Sequence, residues 1–133
     1  MGLLQERVAK DEHYPWRVLV LCALLNRTGK KQVRPMFEAF FELCPTPSAL
    51  LRRKRSAALA RLLRPLGLWR RRLGVLTRLT KDWMAGKPPA EIYGVGPYGL
   101  DAHAIFVEGR LDVRPTDHFL KPYLAWKKRH GRA

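Results

Sequence analysis

Tyr93-Gly94-Val95-Gly96-Pro97-Tyr98-Gly99 is the stretch that decides how this chain reads, with Asp117 a short distance downstream. Two glycines flank one apolar residue after a short apolar run, and a helix-compatible segment, Leu100 to Phe106, follows. Glycine takes positive φ and has no side chain to block a close approach. A Gly-Val-Gly turn that opens a helix therefore leaves backbone N–H groups pointing outward, and helix N-termini attract phosphate.

The rest of the composition says which phosphate to expect. The chain has 133 residues, enough for one domain spanning 1–133 and too few for two ordinary ones. It is 47% hydrophobic, with a formal net charge of +15. Self-repulsion of that size opposes compaction, and its usual reason is a polyanionic partner, here a nucleic-acid backbone. An anionic membrane fits less well, because no long apolar run or lone amphipathic basic helix stands out. The longest apolar run, Val18 to Leu25, is too short to span a bilayer, and no signal segment opens the chain. A cytoplasmic, nucleoid-associated location is expected in a prokaryote and a nuclear one in a eukaryote. Cys22 and Cys44 both sit among apolar residues and read as buried, reduced thiols. Two thiols cannot hold a four-cysteine iron–sulfur cluster. His13, His103, His118 and His130 show no metal-ligand spacing.

The apolar pattern predicts an all-α fold of about eight short helices. Residues 1 to 14 are polar and mixed, a short helical lead-in and then a loop. Pro15 suits a first helical turn. Trp16 to Leu25 reads as a nearly all-apolar central helix, with a buried strand as the competing reading. Gly29 is placed as its C-cap. Lys30 to Leu43 reads as one helix whose Val33, Met36, Phe37, Phe40 and Phe41 form an apolar face. Thr46 or Ser48 could cap a short helix through Leu51. Arg52-Arg53-Lys54-Arg55 is either a phosphate-contacting loop or a solvated turn. Ser56 caps a helix bearing Leu59, Leu62 and Leu63, stopped by Pro65-Leu66-Gly67-Leu68. Trp69 to Met84 is the next helix, with Leu73, Leu76, Leu79 and Trp83 inside and Arg70, Arg71, Arg72, Arg78 and Lys81 outside. After the hairpin and its helix comes a loop, Gly109 to Pro115. A last helix spans Asp117 to Lys128, interrupted or started late by Pro122, and the basic tail after it is expected to fray.

Ala90 to Gly99, a helix, a loop and then Val113-Arg114-Pro115-Thr116-Asp117-His118 resemble the helix-hairpin-helix DNA glycosylases. Pro15-Trp16-Arg17-Val18-Leu19, Leu25-Asn26-Arg27-Thr28 and Leu63-Arg64-Pro65-Leu66-Gly67-Leu68 occur in order before the hairpin. With them the chain, from Leu4 to Trp126, looks most like the thymine/uracil mismatch glycosylase domain of the vertebrate methyl-CpG-binding protein. The methyl-CpG-reading module is absent from this sequence.

The resemblance implies a role for each matching residue. Asp117 would be the catalytic carboxylate, stabilising the positive charge that builds on deoxyribose as the N-glycosidic bond breaks. Read from the residues alone, an Asp after Pro-Thr is a helix N-cap, and one carboxylate can be both. Tyr98 stands where bifunctional members carry a Schiff-base Lys, which implies a monofunctional enzyme and places the phenol in the base pocket. By itself it could simply pack the hairpin. Gln5 would read the imide edge of uracil or thymine in that pocket. Arg27 and Leu68 would enter the base stack, Arg27 with donors for the widowed partner and Leu68 as a wedge. On spacing alone Arg27 is a surface arginine and Leu68 a core leucine. Gly94, Val95, Gly96 and Gly99 would grip the DNA backbone. Such hairpins often hold a monovalent cation (Na or K) between carbonyls and a phosphate, and the cluster-free branch needs no other cofactor.

The expected function is a monofunctional DNA glycosylase that flips and excises mispaired thymine or uracil, opposite guanine, from duplex DNA. It would leave an abasic site for base excision repair and act as a monomer. The alternatives are a non-catalytic helix-hairpin-helix DNA-binding protein and a glycosylase of the same superfamily with another base specificity. Three stretches depart from the family pattern, and the first, from Gln5 to Pro15, is longer here than in the family. The basic run between Ser48 and Ser56 replaces a more mixed one. Pro97 stands where a polar residue is usual and removes one phosphate donor.

Overall fold

The computed structural model describes residues 3–115, 117 and 120–130. All regular structure among them is helical. In chain order the helices are α1 (Tyr14–Leu25), α2 (Lys30–Val33), α3 (Phe37–Leu43), α4 (Pro47–Arg53), α5 (Ala57–Leu63), α6 (Trp69–Met84), α7 (Pro97–Ala102) and α8 (Leu120–His130). Short 3₁₀ turns lie at Leu4–Glu6, Arg64–Leu66 and Pro89–Glu91, and α7 runs on into a π-helical turn, His103–Val107.

The run around Val18 is a helix, not a strand, and it is the centre of the core. Trp16, Val18, Val20 and Leu21 are wholly buried, on every side of α1. A helix apolar all round can satisfy its backbone internally and be surrounded by others. Here α6, α7, the Leu4–Glu6 turn and the π-helical turn surround it. The indole N–H of Trp16 donates to the hydroxyl of Thr80 on α6 at 3.1 Å, so the one polar edge of a buried ring is satisfied. Arg17 is buried too. Its guanidinium donates to Ala9 O (3.0 Å), to Pro45 O (2.7 Å) and to the Asp11 carboxylate, fastening the lead-in and the α3–α4 link to α1.

Four expectations need correction. Lys30 to Leu43 is two helices, because Pro35 lacks the N–H and clashes with the preceding turn. The apolar phase survives the break: Val33, Met36, Phe37 and Phe40 are all buried. Gly29 is no C-cap. Its φ of −76° is ordinary extended backbone leading into α2, and the left-handed residue after α1 is Arg27. The last helix starts at Leu120, three residues after Asp117, and it holds through His130, whose ring stacks on Trp126 at 5.4 Å. Tail residues 131 and 132 lie outside the described residues. Arg72, placed outside, is half-buried and bonded. Leu73 and Trp83 are half-buried at the core's edge, whereas Leu76 and Leu79 are fully inside.

The caps come out as the side chains require. Thr46, not Ser48, caps α4 by accepting from Ala49 N–H at 3.1 Å, and the helix continues to Arg53. Ser56 accepts from Ala58 N–H and Leu59 N–H at the start of α5. Cys22 and Cys44 are buried and free. Among the described residues no helix is long and apolar enough to cross a membrane.

Candidate active site

The hairpin joins a single 3₁₀ turn, Pro89–Glu91, to α7, so its first helical arm is only three residues long. Ile92 is buried beneath it and accepts the Val95 N–H at 3.2 Å, closing the turn. Asp82, near the end of α6, accepts the Tyr93 N–H at 2.8 Å and pairs with Lys87 at 3.2 Å. The Tyr93 N–H first and Lys87 second hold the Asp82 carboxyl below the usual carboxylate value. The Arg78 guanidinium lies 3.8 Å over the Tyr93 ring. Charge and aromatic contact thus fix the entry to the turn.

The two hairpin glycines differ in kind. Gly94 has φ of 82°, and a Cβ there would stand 2.8 Å from Val75 Cγ1. Gly96 has an extended φ of −98°, and a Cβ there would meet nothing within 4 Å. Gly94 makes the bend; Gly96 leaves space. The hairpin's own hydrogen bonds use the N–H groups of Tyr93 and Val95, and among the described residues none uses those of Gly94 and Gly96. A Cβ at Gly99 would press on the hairpin's own Val95, 3.1 Å from its Cγ1, and would meet Cys22 Cβ of α1 only in ordinary contact at 3.9 Å. A cavity of about 380 Å³ lies between the Gly94–Gly99 segment and Leu19, Cys22 and Asn26.

Behind that cavity sits Tyr98. Gln5, 1% exposed, donates from Nε2 to the Tyr98 hydroxyl at 2.6 Å and approaches Cys22 Sγ at 3.5 Å. The Gln5 main-chain carbonyl accepts the Tyr14 hydroxyl at 3.1 Å, and Tyr123 of α8 donates to Glu6 at 3.1 Å. Three tyrosines thereby close the lead-in over α1. Burial pushes the Cys22 thiol up to about 12. Burial likewise raises the Tyr98 hydroxyl above its ordinary value, with the neighbouring Cys22 thiol and the Asp117 carboxylate adding to it and the Gln5 hydrogen bond opposing it. Both groups therefore stay neutral at ordinary pH.

The charge of Asp117 reaches Tyr98, Cys22 and Asp101, so the downstream carboxylate and the hairpin share one electrostatic neighbourhood. Asp117 Oδ2 accepts the Leu120 N–H at 2.7 Å, which makes it a cap for α8. Burial first and Asp117 second raise the Asp101 carboxyl above its ordinary value.

Arg27 and Leu68 are presented by two neighbouring turns. Both are non-glycine residues in left-handed backbone, with φ of 57° and 50°. Such conformations are costly and persist where the surroundings impose them. Leu68 is 68% exposed, so it is no core leucine. A cavity of about 320 Å³ separates the turns and shares Asn26 with the hairpin cavity. One guanidinium fastens both. Arg72 donates from Nε to Gly67 O (2.8 Å), from Nη2 to Leu66 O (3.2 Å), and from Nη1 to Leu24 O (3.3 Å) and Asn26 O (3.2 Å).

The structure thus brings Gln5, Tyr98 and Asp117 to one end of α1, beside the hairpin, and Arg27 and Leu68 to the adjoining turns. Arg72, Asp82 and Asp101 escaped the reading of the sequence. Arg72 carried one signal, its place one helical turn after Leu68, and Asp101 another, three residues after Tyr98. Asp82 carried none. Among the described residues no three His, Cys, Asp or Glu side chains are grouped so as to hold a metal ion.

No family model matches the chain. It is 38% identical over 125 residues to a methyl-CpG-binding domain protein 4-like protein of Arabidopsis thaliana, an alignment covering 92% of this chain and 27% of that protein. It is 36% identical over 93 residues to a thymine-DNA glycosylase of Aeropyrum pernix, covering 63% of this chain and 41% of that protein. The chain therefore spans well under half the length of these relatives. Their similarity supports a DNA glycosylase-related family.

Proposed function

We propose that this chain is a monofunctional DNA glycosylase that excises thymine or uracil, mispaired with guanine, from duplex DNA and leaves an abasic site. The observation that carries the reading is the packing of α8 against α7: Asp117, 19 positions after Tyr98, caps the first of these helices and Tyr98 stands in the first turn of the second, and the carboxylate helps to raise the Tyr98 hydroxyl. The relatives' names, one of them a thymine-DNA glycosylase, support the same class.

In this reading the hairpin N–H groups of Gly94 and Gly96 hold a phosphate next to the target nucleotide. Hairpin carbonyl oxygens such as those of Ile92 and Gly96 keep a second lone pair after their protein bonds. These hard donors suit a monovalent cation, Na or K, which would supply charge to the same phosphate. Unstacking a base costs a few kcal/mol. Leu68 replaces the lost stacking, and Arg27 offers donors to the widowed guanine. The base enters beside Tyr98 and Gln5, whose amide can pair with an imide edge. Asp117 then stabilises the cationic sugar and orients water. Tyr98 has no amine to form a Schiff base, so the strand stays intact.

One observation favours a second reading, a DNA-binding protein without catalysis: the bond from Leu120 N–H already gives Asp117 a structural task. Asp117→Asn separates the two, because Asn caps helices as well as Asp does but carries no charge. Labelled duplexes containing G·T, G·U and matched pairs test the proposal. Abasic product from the mismatches, lost in Asp117→Asn with DNA binding kept, is the expected result. Full activity in that variant removes Asp117 from the chemistry, and no product from any duplex with folded protein selects the second reading. Tyr98→Lys, trapped with borohydride, tests whether an amine at this place gains strand cleavage.

A further inference from the structure

Residues 72, 75 and 76 of α6 line the cavity between the two turns, but residues 70, 74 and 77 lie on another face of the same helix. There an open groove of about 550 Å³ runs between α6 and the turn joining α4 to α5. Lys54, Arg55, Arg70 and Arg78 line it, and no carboxylate does. Among the described residues none of the four stands within ion-pair distance of Asp or Glu. Two sequence-distant basic elements meet here, and one is the run that departs from the pattern of the resembling family.

Two further features mark the groove as built for a ligand. Arg70 is held with its guanidinium 4.8 Å from the Trp69 ring centroid, and Arg64 lies 5.7 Å from it. A cation stacked on indole is pre-ordered and loses less freedom on meeting an anion. The floor is Gly74, in the middle of a helix, where glycine is disfavoured against any ordinary residue. No packing demands it, since a Cβ there would meet nothing within 4 Å. The missing side chain instead leaves bare helix surface between the cations. At its far end the groove reaches Arg78, the residue stacked on Tyr93 of the hairpin, so it is continuous with the proposed DNA interface.

We propose that this groove carries the phosphodiester backbone of duplex DNA beyond the segment that faces the hairpin and the wedge residues. The proposal rests on the glycosylase reading only in taking DNA as the partner. Each phosphate neutralised by a cation releases condensed counterions, so the slope of log K against log salt counts contacts, at about 0.9 per phosphate on a duplex.

The test is that slope for the full chain on an undamaged 30-base-pair duplex. Lys54→Ala with Arg70→Ala is expected to lower it by about 1.8, two phosphate contacts. Gly74→Glu is expected to lower it as well, by filling the floor and repelling phosphate, while its better helix propensity keeps the fold intact. Lys10→Ala with Arg61→Ala removes the same charge elsewhere on the surface and is expected to leave the slope unchanged. A slope unaltered by both groove variants, or lowered equally by the control pair, overturns the proposal. Base release from a G·T duplex is scored separately. Its absence with a lowered slope would remove the glycosylase and keep the groove, and its presence with an unaltered slope would do the reverse.

Discussion

Gln5 and Tyr98, 93 positions apart in sequence, are joined by a 2.6 Å hydrogen bond across the recess proposed for the flipped base. That recess, between the lead-in, Leu25, Lys30 and Tyr98, measures about 10 Å³, room for a single water at most. A base that is to pair with the Gln5 amide there needs Gln5 and Tyr98 to part, whereas the open cavity of about 380 Å³ on the hairpin side already reaches Tyr98. On the proposed reading the bond is a latch, and base entry includes a step that opens it. Tyr98→Phe leaves the buried Gln5 amide nitrogen with the Cys22 sulfur as its remaining hydrogen-bond partner among the described residues. A loss of about 1–3 kcal/mol is expected from urea unfolding. An unchanged midpoint would show that nothing is latched.

Arg72 is expected to matter more to base release than to DNA binding. Lys keeps the charge but cannot serve four carbonyls with a planar fork. In Arg72→Lys, single-turnover release should fall at least about tenfold, the rate equivalent of 1.4 kcal/mol, as the two turns lose register. Affinity for undamaged duplex should stay within about twofold. Equal losses in both would mean that Arg72 acts as one more phosphate contact.

The hairpin glycines should separate cleanly. Gly94→Ala must hold a side chain at φ 82° against Val75, and is expected to cost about 1–3 kcal/mol in stability. Gly96→Ala meets no strain and no neighbour, and Ala is less flexible when unfolded. It should leave the melting temperature unchanged or slightly raised, yet weaken DNA binding by intruding on the approaching phosphate. Thermal unfolding beside a binding isotherm reads both.

Asp101 gives the pH dependence a definite sign. Its carboxyl is raised in the folded state, by burial and then by Asp117, so the fold binds that proton more tightly than the unfolded chain does. Stability should therefore rise as pH falls through the raised value toward the ordinary 3.8. Asp11, Asp82 and Asp112 are lowered instead, and their contributions vanish only as pH falls below 3.8. The two windows lie on opposite sides of that value. Asp101→Asn should flatten the upper one alone, as urea midpoints across pH will show.

Local rules carried the reading of the fold where the residues involved were neighbours in sequence. The limits of α6 follow from its amphipathic run between Gly67 and Gly86, and the Thr46 and Ser56 caps from their hydroxyls. Pro35 hid inside an apolar stripe that kept its phase on either side, so the break in Lys30–Leu43 was obscured by the period itself. At the site, the hairpin was legible as a turn and Asp117 as a helix cap, while the catalytic role given to Asp117 rests on the family resemblance. Arg72 was not, because three consecutive arginines look alike until the turns on either side choose which one they bond. Local pattern alone makes Leu68 a core leucine, the resemblance makes it a wedge, and in the structure it stands exposed on left-handed backbone.

That backbone has a consequence for anyone who improves this protein in the laboratory. Glycine adopts the left-handed region without penalty, whereas Arg27 and Leu68 give up about 1 kcal/mol each to stand there. A selection for heat tolerance alone should therefore collect glycine at both places, and on the proposed reading its winners would be sturdier molecules with no side chains left to enter the DNA stack. Heat-tolerant variants should be chosen with residues 27 and 68 held fixed.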